Sequence, residues 1–113
     1  MAAHLAELRA GSQYVVRVEG PIDVRGAVVV GRRLLAAVNN GERRLLLDLS
    51  RAEPLASGAL LGTVLRIDRY AARRDTRLVV LSGAATERMF ALGNPHGLIA
   101  VAATPEEADA LLG

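Results

Sequence analysis

Arg44-Leu-Leu-Leu-Asp-Leu49 decides the fold. The run is apolar without alternation, which suits a central parallel strand covered on both faces. Asp48 interrupts it near its end. Downstream, Ser50 to Ala56, with Pro54 inside, reads as a loop, and Ser57 to about Arg74 as the longest helix. Leu60, Leu61, Val64, Leu65, Ile67 and Ala71 share one face of that helix, while Arg66, Asp68, Arg69, Arg73 and Arg74 take the outside. Ser57 stands where a side-chain N-cap belongs. Upstream, residues 27–39 read as a helix despite the strand-like Val28-Val29-Val30. Val30, Leu34, Leu35 and Val38 fall on one face, and Asn39-Asn40-Gly41 supplies a left-handed stop.

The flanks extend the alternation. Tyr14-Val-Val-Arg-Val-Glu19 is β-branched and reads as a strand, with residues 4–10 as a short partner and Gly11-Ser12-Gln13 as the turn. Gly20-Pro21 is expected to redirect the chain into a short extended piece, Ile22-Asp23-Val24. Thr76 to Leu81 is a further strand, Ala84 to Leu92 a short helix, Gly93 to Gly97 a turn cluster, and Leu98 to Val101 a last strand. Thr104-Pro-Glu-Glu caps a helix that runs to Leu112. The expectation is one α/β domain over residues 1–113, with a mixed, mostly parallel sheet of about four or five strands packed by about four helices.

Composition removes many functions. At 113 residues the chain suits a single core, and 51% hydrophobic with 23% charged residues is ordinary for a globular domain. There is no Cys, so disulfides, thiolate metal sites and cysteinyl nucleophiles are excluded, and a cytoplasmic setting is expected. All 14 basic residues are Arg, which excludes a P-loop or Schiff-base lysine. They are dispersed among 12 acids, and aromatics are 3%, so a nucleic-acid surface is not expected. His4 and His96 lie too far apart in sequence to read as a metal cluster. The N-terminal stretch is interrupted by charge, and no apolar run approaches the roughly 20 residues that span a bilayer. Neither cofactor, metal nor membrane partner is expected.

In folds of this kind ligands and partners gather at the carboxyl ends of the strands, where Asp23 and the Asp48-to-Ser57 segment fall. A receiver domain with Asp48 as phosphoacceptor would need an acidic pair after the first strand and a lysine, and both are missing. A serine hydrolase would need a placed histidine and a G-x-S-x-G elbow; Leu55-Ala-Ser-Gly-Ala59 lacks the first glycine. No catalytic residue is therefore assigned.

Gly20-Pro-Ile-Asp23, then Leu45-Leu-Leu-Asp-Leu-Ser50, then Leu55-Ala-Ser-Gly-Ala-Leu60 opening a long helix, resembles the STAS domain of the bacterial anti-sigma factor antagonists. The resemblance covers about residues 12–112. It implies that Asp23 corresponds to the aspartate of the G-x-L-D motif, Asp48 to that of D-L-S, and Ser57 to the serine phosphorylated by a partner kinase. It also implies that Asp23, Asp48, Ser57 and Gly58 meet on one partner-binding face. Its partner would be an anti-sigma factor of the ATP-binding kinase type, and the output would be control of sigma-factor-dependent transcription. Two positions depart from the pattern: Ala56 stands in place of an acid before the serine, and Ala59 in place of the usual glycine, with Gly58 one residue early. These alter the setting of the serine more than the fold. Two other readings stay open, a STAS subunit of a stress-sensing or transporter-ATPase assembly, and a small-molecule or nucleotide sensor.

Overall fold

The computed structural model describes residues 2–113. Strands β1 (His4–Ala10), β2 (Gln13–Ile22), β3 (Arg44–Pro54), β4 (Arg77–Leu81) and β5 (Ala100–Ala102) form one sheet in that order. β1 is antiparallel to β2, and the remaining pairings are parallel. Helices α1 (Val24–Asn39), α2 (Ser57–Ala72) and α3 (Ala84–Gly93) make the three crossovers, and α4 (Pro105–Leu112) ends the chain. The expected mixed α/β architecture is therefore present, with five strands and four helices.

β3 is the interior strand that its leucines predict. Leu45, Leu47 and Leu49 point into the larger core, where Val30 and Leu34 of α1, Leu60 and Val64 of α2, and Phe90 of α3 meet them. Leu46 points the other way, into a smaller core closed by Ala108 and Leu112 of α4. That two-sided cover is why the run shows no alternation. Full burial of Leu47 contributes about 2 kcal/mol of transfer free energy.

β3 is longer than the sequence reading. Ser50 to Pro54 continues the strand instead of forming a loop, because an extra residue is accommodated between the Arg17–Asp48 and Glu19–Arg51 pairs and the ladder then resumes to Ile22–Pro54. This bulge also carries β2 straight through Gly20 and Pro21. Gly20 takes the strain at φ +87°, a region open to glycine, so the pair does not redirect the chain.

α1 begins at Val24, not at residue 27. Asp23 is its N-cap: its Oδ1 accepts the Gly26 amide at 2.7 Å. The piece Ile22-Asp23-Val24 is thus a strand end, a cap and a first helical residue. The helix packs close to α2 at Gly31, where a Cβ would meet Thr63 Cγ2 at 2.8 Å. The last strand is displaced to Ala100–Ala102. Asn94 holds the preceding turn by accepting from the Ile99 amide and donating to the Ile99 carbonyl.

Candidate functional site

The carboxyl ends of β2 and β3 lie side by side, and the two helices that follow start there. The Ile22 carbonyl accepts from both the Leu55 and the Ala56 amides, at 2.9 and 3.2 Å. These two bonds stitch the end of β2 to the link between β3 and α2. They bring the Asp23 cap of α1 next to the first turn of α2, so Asp23 and Ser57 share one end of the sheet.

Ser57 is not the N-cap of α2. Ala56 occupies the cap position with φ −130° and ψ 70°, and no side chain caps the helix. Ser57 is the first helical residue, exposed to solvent, and Gly58 behind it is exposed with open space where a Cβ would be. The Leu60 amide is the first to close an intrahelical bond, to the Ala56 carbonyl at 3.0 Å. The amides before it have no intrahelical acceptor, and the first turn carries no acid. The helix therefore presents the Ser57 hydroxyl at a positive end that no residue of its own first turn balances.

Asp48 does not join this group. Strand alternation turns its side chain to the side of Leu46, away from Leu47 and Leu49 and so away from α2. It is 6% exposed. Its Oδ1 accepts from the Ser50 amide at 3.0 Å and the Ser50 hydroxyl at 2.6 Å, and its Oδ2 from Arg17 Nε at 3.1 Å. Burial pushes its pKa up, but the Ser50 hydroxyl and amide and the Arg17 guanidinium outweigh burial and hold it below the ordinary aspartate range. Asp48 is the clasp of the β3 bulge, a place the sequence did not reveal because the bulge itself was unreadable.

A cleft of about 570 Å³ opens beside Ser57, between α2 and α3. Leu61, Met89 and Leu92 supply its apolar lining, and Glu53 and Arg88 its charge. Leu55 and Leu92 are 61% and 71% exposed, and Val24 at the start of α1 is 60% exposed. Ser57 thus shares the cleft with Leu61, Met89 and Leu92, of which Leu92 is largely exposed. Sequence reasoning missed Leu55, Arg88 and Leu92, because none of them departs from the helical or loop pattern of its segment.

The cleft lining contains no histidine, and His96 is exposed in the turn after α3. Among the described residues no group of three metal-ligating side chains occurs. Among the same residues no helix is long and apolar enough to cross a membrane.

The sheet thus has four parallel strands and one antiparallel strand, with an exposed serine opening the second helix. The family model described as "Mlab, STAS domain" matches residues 5–100, and the chain belongs to the STAS domain family. The fold is shared with an anti-sigma factor antagonist from Mycobacterium paratuberculosis, at 22% identity and TM-score 0.77, covering 98% of this chain and 94% of that one. The phosphorylated form of the Bacillus cell fate determinant SpoIIAA is similar at 22% identity and TM-score 0.66, covering 96% and 97%. RsbS from Moorella thermoacetica, as a variant, is similar at 19% identity and TM-score 0.72, covering 95% and 93%. At these identities the likeness is one of fold. No curated protein matches the chain.

Proposed function

We propose that this protein is a binding module, not an enzyme, that acts as an anti-sigma factor antagonist. It docks an ATP-binding anti-sigma factor kinase on the surface around Ser57 and so releases a sigma factor to transcription, in the cytoplasm. The observation that carries the reading is the exposed Ser57 hydroxyl at the bare start of α2, lining one cleft with Leu61, Met89 and Leu92. Asp23 and Gly58 belong to the same end of the sheet and are proposed as partner contacts. Asp48 is assigned to the bulge and not to the partner.

The switch is phosphorylation of Ser57. The serine oxygen attacks the terminal phosphorus of ATP, the bond to ADP breaks, and the hydroxyl proton passes to a base on the kinase. The product carries about −1.5 to −2 charge. Within this chain that charge is favoured by roughly 0.3–1 kcal/mol at the N-terminus of α2. Buried in a docked apolar surface it costs on the order of 2–5 kcal/mol. The second effect wins, so the phosphorylated domain stays folded and lets its partner go.

A second reading, a STAS subunit of a stress-sensing or transporter-ATPase assembly, draws on Ala56 standing where the family pattern has an acid. A pull-down with the wild-type chain and with Ser57→Glu, followed by mass spectrometry, separates the two. Recovery of a kinase-type ATPase by the wild type alone supports the first reading. Recovery of a transporter ATPase by both supports the second.

A further inference from the structure

The cleft beside Ser57 holds a charged group, Arg88, to which the proposed switch assigns no role. Arg88 of α3 lines it on one side, and Ser57 and Leu61 of α2 on the other. Arg88 is exposed, and among the described residues it makes no ion pair; those belong to Arg9, Arg17, Arg33 and Arg51. The start of α2 offers neither a cap side chain nor a first-turn acid to balance its own amides. A guanidinium across the cleft from a hydroxyl at a bare helix end is arranged to meet an anion carried on that hydroxyl.

Resting on the reading that Ser57 is phosphorylated, we propose that Arg88 is the internal partner of the Ser57 phosphate, a positioning residue that ties α3 to the start of α2 and closes the cleft. The phosphate brings three acceptor oxygens. The planar guanidinium fork takes two of them side by side, and the first-turn amides of α2 face the same group. Two carboxylates share this end of the molecule. Glu53 lines the same cleft and opposes the phosphate. Asp23, at the neighbouring cap, has Oδ1 engaged with the Gly26 amide. Phosphorylation would then act twice: it charges the docking surface, and it draws Leu92 and Met89 across the space a partner side chain would fill.

The test uses the full chain with phosphoserine placed at position 57 by genetic code expansion. Phosphorus NMR follows the second ionisation of the phosphate, which is ordinarily near pH ~6. Arg88→Gln should raise that midpoint by roughly half a unit to one unit, Arg88→Lys by less, and Glu53→Gln should lower it. Thermal melts of the same samples establish that each variant is folded. A midpoint that is the same with Arg88, Lys or Gln at this position overturns the proposal. No partner protein is in the sample, so that failure leaves partner release by charge intact. A failed binding experiment, conversely, leaves the Arg88 contact measurable.

Discussion

Asp48→Asn tests whether this carboxylate is a structural clasp. The side chain is nearly buried and accepts three hydrogen bonds, two from Ser50 and one from Arg17. The amide keeps an acceptor for Ser50 but loses the charge and turns a donor toward Arg17. Arg17 is 43% exposed and stays solvated, so its share is small. The expected cost is about 1–2 kcal/mol at neutral pH, carried by the charge-assisted bonds to Ser50. The pKa of Asp48 is depressed in the folded state. Its stabilisation is therefore present above the ordinary aspartate value and is lost as pH falls through the folded one. The assay is urea unfolding of wild type and variant at neutral pH and at a pH below the ordinary aspartate value, where the difference should be smaller. A difference of the same size at both pH values would refute the electrostatic account. A neutral-pH difference below about 0.3 kcal/mol would remove Asp48 from the bulge altogether.

Asp68 carries the opposite sign: burial raises its pKa with no partner to offset it, so its folded-state stability falls as pH rises through that value. Asp68→Asn should stabilise the protein by roughly 0.5–1 kcal/mol at neutral pH and by nothing in acid, read from the same unfolding series. Gly83→Ala should be severe, because a Cβ there stands 2.7 and 2.8 Å from the Ser50 carbonyl carbon and Cα, backbone that cannot turn aside. We expect a loss of about 3 kcal/mol or more by denaturant titration, and a fully stable variant would mean that α3 is not seated on β3 as described. Gly58→Ala has open space and a helical setting, so it should gain up to ~1 kcal/mol, and destabilisation would contradict the helix start.

The order of elements was legible because the strongest patterns sit on buried segments. Leu45 to Leu47, the helical faces at Val30 to Val38 and Leu60 to Ala71, and the Thr104 cap all report burial or capping directly. What sequence could not show was the bulge. Ser50 to Pro54 is polar and contains a proline, so it reads as loop, yet it pairs with β2 at an edge of its own length where little is buried. The start of α1 was hidden for a related reason: Val24, Val28 and Val29 are exposed β-branched residues that argue against a helix, and the Asp23 cap decides in its favour. At the site, the placement of Asp23 and Ser57 at one end of the sheet was legible through chain order. The separation of Asp48 was not, because it depends on which side of β3 one residue points. The cap role of Ser57 failed by one position: the backbone puts Ala56 at the boundary, so Ser57→Ala should cost little stability.

The measurement that bears most directly on the account is titration calorimetry of Ser57→Glu, Ser57→Asp and Ser57→Ala against the proposed partner, an anti-sigma factor kinase, beside thermal melts of the three. The acidic variants should bind at least tenfold more weakly, roughly 1.4 kcal/mol, while remaining as stable as wild type. Ser57→Ala should bind as wild type does and melt within about 0.5 kcal/mol of it, since no cap bond is lost. Acidic variants that bind as tightly as the wild type would show that Ser57 lies outside the docking surface, and the proposed switch would not operate in this protein.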